Sequence, residues 1–284
     1  MKPLNIEIQL APSERPVIGW LRAGFLTLTL LAGCRTQTVA DEVFQRPRRE
    51  AAIERLLAAY PGIVARVEGN DVVFSDGSRL PFDDGKALKS LEDWLENPDI
   101  EDMLAQPYPA GLTSPPGKDH DPGRARNEKF FAKVYGDCLK REVEPKLVSI
   151  VWLPKKYGHK IKFTKVNGAA KHLQAVSEEL DTLPAKFNID LFPTAGTYNC
   201  RKVAGTKHMS SHGHGIAIDI ALKHAHYWRW FEKPPGPSIP YKNKIPFEIV
   251  RIFEKHGFIW GGKWHHYDTM HFEYRPELLM PEAE

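Results

Sequence analysis

The segment that most constrains this chain is Ser210 to Ile220 (SSHGHGIAIDI). From Gly215 it alternates as a β-strand does. Ile216, Ile218 and Ile220 share one face, and Ala217, Asp219 and Ala221 share the other. The Ile face belongs in a core. The opposite face presents one carboxylate between two small side chains, which leaves open space beside Asp219. His212 precedes the strand across Gly213 and Gly215, whose backbone freedom permits a sharp turn, so His and Asp can converge on one ion. A second segment, Asp268 to Arg275 (DTMHFEYR), has the same alternation. Met270, Phe272 and Tyr274 are on one face, His271, Glu273 and Arg275 on the other, and Asp268 lies just before them. Two His and one carboxylate leave an open position on zinc, as a catalytic site requires. A nearby carboxylate can take a proton from water and return it to a leaving amine, a role that suits Asp268.

The pattern Ser210-x-His212-x-x-Gly215-x-Ala217-x-Asp219, followed by Asp268-x-x-His271, resembles the D-alanyl-D-alanine carboxypeptidase and L-alanyl-D-glutamate endopeptidase group of zinc peptidases, family M15. The resemblance extends over about residues 135–280, the span of one domain. It implies one zinc ion held by His212, Asp219 and His271, with Asp268 as the base. Tyr198-Asn199-Cys200-Arg201 resembles the Tyr-x-Cys-Arg of extensin-like C-terminal domains, which share this core, as hedgehog signalling domains do. By the same resemblance Arg201 contacts the substrate or the scissile carbonyl. Asp at 268, with His271-Phe272 after it, is more like the endopeptidase branch.

The implied activity is hydrolysis of an amide bond in the peptidoglycan stem peptide, of the L-Ala-D-Glu type. A D-alanyl-D-alanine carboxypeptidase is the first alternative. It would need a basic group for a terminal carboxylate, for which Arg201, Lys202, Lys207 and Arg275 are candidates. The second alternative is a non-catalytic, zinc-containing peptidoglycan-binding module. Ser210, His214, His266 and Trp264 are read as groups that orient the site or touch the substrate, and His208 and His265 as similar neighbours. His224, His226 and His256 are read as structural.

The N-terminus does not read as ordinary fold sequence. Arg15 and Arg22 precede an uncharged, mostly apolar run, Ala23 to Gly33, which is too short to span a bilayer. Leu31-Ala32-Gly33-Cys34 resembles the lipobox of bacterial lipoproteins. Residues 1–33 are therefore expected to be a signal peptide, with Cys34 lipidated and the protein anchored through that lipid at the cell envelope. Arg35 rather than Asp after the Cys leans towards the periplasm-facing outer membrane over the inner one. In an exported chain the remaining pair, Cys138 and Cys200, can form a disulfide, with two buried thiols as the alternative.

Residues 34–105 read as a small α+β region. It has a helix before Pro61-Gly62, strands at Ile63–Val67, Val72–Phe74 and around Leu80 and Phe82, and a helix at Leu88–Leu95. Its acidic stretch, Glu96 to Asp102, reads as a solvated face. Residues 106–128, rich in Pro and Gly, read as a linker or wrapping arm. Residues 129–284 read as the catalytic domain. It has strands at Val148–Leu153 and Lys160–Val166, a helix from Gly168 to Leu183 capped by Asn167, and a helix from Phe247 to His256 stopped by Gly257. Without a regular β-α-β alternation the class is α+β, a small antiparallel sheet with flanking helices around a mononuclear zinc site. The net charge of +3, with no long Lys or Arg run, gives no reason to expect nucleic-acid binding. A monomer is expected.

Overall fold

A computed structural model describes residues 49–86, 89–230 and 239–280. The expected signal peptide and Cys34 lie outside the described residues. None of the described helices is long and apolar enough to cross a membrane. Helix α1 (Arg49–Ala59) stops at Pro61-Gly62, where Gly62 takes φ +73°. Strands β1 (Val64–Glu68), β2 (Asp71–Phe74) and β3 (Arg79–Pro81) form an antiparallel meander. Helix α2 (Leu91–Glu96) starts at Ser90, whose side chain accepts the Asp93 N–H. Helix α3 (Glu128–Tyr135) is capped by Asn127 in the same way. Strands β4 (Leu147–Trp152) and β5 (His159–Thr164) form a hairpin. Helix α4 (Ala169–Leu180) and the short α5 (Asn188–Leu191) follow. The site-bearing sheet comprises β6 (Ala217–Asp219), β7 (Phe258–Trp260) and β8 (His271–Tyr274) in the antiparallel order β6-β8-β7. Helix α6 (Phe247–Lys255) leads into β7. The molecule is α+β, with small antiparallel sheets and flanking helices.

The parity read from the sequence is the parity of the fold. Ile216, Ile218 and Ile220 are fully buried. Phe272, the apolar partner of His271 on β8, stacks on Phe253 of α6 with ring centroids 3.8 Å apart. Burying a side chain of this size stabilises by about 1.5–3 kcal/mol, which holds α6 against the back of the sheet. One apolar core runs from Leu56 and Phe74 through Phe130, Trp152 and Leu173 to Phe253 and Phe272. The N-terminal helix and meander are part of that core. Tyr60 donates to Glu277 near the other end of the described chain at 2.9 Å.

Two local expectations are corrected. Asp99, Glu101 and Asp102 are buried, not a solvated face. The Lys89 ammonium reaches in to bind Asp84 at 2.9 Å, Asp99 at 3.2 Å and Asp102. Asp99 and Asp102 also accept each other's backbone N–H groups. Charge repeats along a sequence do not reveal a single lysine inserted among them. Asn167 does not cap α4. It takes φ +52° and donates its side-chain amide to the Ala59 carbonyl, tying α1 to the start of α4, and Gly168 occupies the cap position.

Residues 106–127 wrap the site-bearing sheet. Gln106 accepts the Asp121 N–H, Trp264 donates to the Pro122 carbonyl at 2.7 Å, and Arg275 donates to the Gly123 carbonyl at 2.6 Å. Arg126 grips the buried Glu273 of β8 through two hydrogen bonds, at 2.8 and 3.2 Å.

Candidate metal centre

The sheet register makes Asp219 and His271 a directly opposed cross-strand pair. His212 arrives from the turn Ser211–His214. The Ser210 side chain caps that turn by accepting the His212 N–H. Gly215 ends it at φ +67°, and Leu147 stands so close that a Cβ there would meet its Cδ2 at 2.8 Å. Behind the turn, Cys138 and Cys200 form a disulfide. Gly213 lies against it, with Cys138 Sγ 3.3 Å from where a Cβ would stand.

His212 Nε2, His271 Nδ1 and Asp219 Oδ1 meet at one point. Their separations are 3.2 Å from His212 to Asp219, 2.9 Å from His271 to Asp219 and 3.3 Å between the imidazoles. Atoms coordinated tetrahedrally at 2.0–2.1 Å lie about 3.3 Å apart, so this triangle has the dimensions of a zinc site. The outer ring nitrogens are already engaged. His212 Nδ1 donates to the Thr197 carbonyl at 2.5 Å, and His271 Nε2 meets Ser211 Oγ at 3.2 Å. Each ring therefore keeps its inner nitrogen for a cation, and the donor set fits zinc.

Electrostatics agree with that fit. Burial alone would raise the Asp219 carboxyl, but His212 and then His271 hold it well below the usual carboxylate range. Burial lowers the His271 imidazole, yet the hydrogen bond that Asp219 accepts from it and the nearby Glu273 carboxylate overcome it and push the group up to about 10. These groups gather positive charge at their meeting point.

Asp268 lies on the loop from β7 to β8. Its N–H donates to the Gly261 carbonyl at 2.9 Å, and a Cβ on Gly261 would come within 2.5 Å of the Asp268 carbonyl oxygen. The loop can close this tightly only over a glycine. Asp268 Oδ1 is buried without a hydrogen-bond partner in the protein. Desolvation raises this carboxyl to about 6, against the pull of His271.

The other residues singled out in the sequence divide into neighbours and non-neighbours of this centre. Trp264 is buried with its ring 5.7 Å from that of His271. His266 has its Nδ1 held at 2.6 Å by the buried Asp121. His214 is engaged elsewhere, bonding the Gly136 carbonyl and packing against Phe131 and Tyr135. His208 lies between Glu96 and Glu128, and His265 beside Asp119. Arg201 is exposed, and its described bond goes to the Lys202 carbonyl at 3.4 Å. Arg275 is fully buried between Glu273 and Glu277, so it is not available to a substrate carboxylate. The sequence pattern marks Ser210 and not its neighbour Ser211, whose hydroxyl meets the His271 ring. Nor does it mark Asp121, Arg124 and Arg126, which come from the arm and carry no spacing signal.

Fold and centre together bring three donors that could hold one metal ion next to a desolvated carboxylate. Residues 204–274 match a family described as D-alanyl-D-alanine carboxypeptidase, of the M15 peptidases, which are zinc-dependent. The match takes in His212, Asp219, Asp268 and His271, and supports a peptidase of the D-Ala-D-Ala carboxypeptidase kind. No curated protein and no solved structure matches the chain.

Proposed function

We propose that this protein is a zinc peptidase that cleaves an amide bond of the peptidoglycan stem peptide. The observation that carries this reading is Asp268 Oδ1, buried without a hydrogen-bond partner on the loop that leads into His271 of the three-donor centre. His212, Asp219 and His271 would hold the ion. When bound, zinc polarises the scissile carbonyl and makes water acidic enough to act near neutral pH. Asp268 accepts the proton of the attacking water and delivers it to the leaving amine. Ser211 and the Thr197 carbonyl keep the two imidazoles turned inward throughout. Arg201, which is exposed, is proposed to contact the incoming peptide.

The bond is proposed to be of the L-Ala-D-Glu type, on the Asp268-x-x-His271-Phe272 pattern. The D-alanyl-D-alanine carboxypeptidase reading is the second, favoured by the description of the matching family. The Leu31–Cys34 motif supports placement at the cell envelope through a lipid anchor. Digestion of purified muropeptides by the zinc-loaded protein, with mass spectrometry of the new termini, tests the reading. New termini at one stem-peptide bond are expected. Asp268→Asn should keep stoichiometric zinc and lose cleavage by at least 100-fold, on the order of a general base's contribution. Undiminished cleavage by that variant sinks the mechanism, and stoichiometric zinc with no cleavage by the unaltered protein favours a binding module.

A further inference from the structure

We propose that Arg124, delivered by the arm, binds the free α-carboxylate on the carbon that carries the scissile nitrogen. The inference rests on the stem-peptide reading above and deepens it. Arg124 lies well upstream of the family match at residues 204–274.

Its placement is built from several directions. The Arg124 guanidinium lies over the Trp264 ring at 5.5 Å, and that ring lies 5.7 Å from the His271 ring. Its Nη1 donates to the His266 carbonyl at 2.9 Å, two residues before Asp268 on the same loop. The Asp121 carbonyl accepts the Arg124 N–H, while the Asp121 carboxylate accepts both the backbone N–H and Nδ1 of His266. Arm and loop are thus fastened together through Arg124 and Asp121.

The four basic residues read from the sequence are placed less well. Arg275 is consumed by Glu273 and Glu277, and Arg201, Lys202 and Lys207 are exposed. The bond to His266 accounts for one of the five N–H groups of Arg124. A guanidinium's planar fork suits a carboxylate, and its aromatic backing limits the freedom lost on binding.

The chemistry of the two candidate bonds points to the same ligand. In a D-Glu linked onward through its γ-carboxyl, the α-carboxylate is free and sits on the carbon bonded to the scissile nitrogen. In a terminal D-Ala it occupies the same place. One arginine beside the base therefore serves either bond.

The test uses two peptide pairs: a stem peptide with D-Glu or its α-amide, and a peptide ending in D-Ala-D-Ala or its C-terminal amide. The full zinc-loaded protein should prefer the free acid of the cleaved pair by about 10- to 100-fold in kcat/KM, the scale of a charge-assisted pair. Arg124→Ala should abolish that preference, mainly through KM, so that acid and amide are cleaved with equal kcat/KM. Arg124→Lys should retain part of it. Equal losses on acid and amide, or a preference that survives Arg124→Ala, overturn the proposal. Binding of the same peptides to Asp268→Asn, with and without Arg124→Ala, separates the two readings. Lost acid preference without any cleavage by the parent protein would sink the peptidase and keep the carboxylate site. Equal binding of acid and amide by the Asp268→Asn protein would sink the site alone.

Discussion

At the scale of single residues, Asp268 sits where water would not leave a carboxylate. Its carboxyl is raised to about 6 by desolvation, against an ordinary value of 3.8. In metal-free protein the folded state therefore holds this proton more tightly than the unfolded chain does. The associated stability is fully present below about pH 4 and is lost as pH rises through about 6. Keeping the ionised form buried at neutral pH costs on the order of 2–3 kcal/mol. In chelator, Asp268→Asn is thus expected to raise the melting temperature at pH 8. The gain should shrink as pH falls from 6 to 4. A melting temperature unchanged by the variant at pH 8 would show that the carboxylate is not desolvated. Residue identities at the centre were legible because His, Asp and Gly appear at spacings that only a turn and two strands explain. Ser211 was not, since its contribution is a hydrogen bond to a ring nitrogen and not a place in a motif.

At the scale of elements, the register of β6 against β8 decides whether a centre exists. Side chains alternate along a strand, so a slip of one residue would send His271 to the apolar face and Phe272 to the site. The β7–β8 loop sets the remaining member. Gly261 allows the loop to close on Asp268, and a methyl group there meets both the Asp268 carbonyl and the Trp264 ring. Gly261→Ala is expected to displace the base while leaving the ligands in place. Hydrolysis should fall by at least tenfold with zinc stoichiometry unchanged, read by metal analysis beside muropeptide turnover. Loss of zinc in step with activity would mean that the loop also sets the ligands. Periodicity revealed β6, β8 and α6 because each has one apolar face. The buried acidic turn around Asp99 and the bend at Asn167 escaped it. Both are fixed by partners distant in the chain, Lys89 and Ala59.

At the scale of the whole molecule, the disulfide and the arm brace the site from outside the sheet. Cys138 and Cys200 are 62 residues apart, and in the chain-entropy model a loop of that length stabilises by about 4 kcal/mol. The double variant Cys138→Ser/Cys200→Ser should lower the urea midpoint accordingly. Because the bridge backs the His212 turn, it should also weaken zinc binding, measured by competition with a chelator. An unchanged midpoint would mean that the bridge does not constrain the unfolded chain. The arm's role was hidden in the sequence, since Pro and Gly announce a connection without saying what it crosses.

The opposed pair of Asp219 and His271 also bears on the order of events during folding. The two ligands are 52 residues apart and meet only when β8 has paired with β6. A growing chain that has emerged through Asp219 has two of the three donors and no strand to bring the third. Metal capture by this trio would thereby be tied to completion of the sheet.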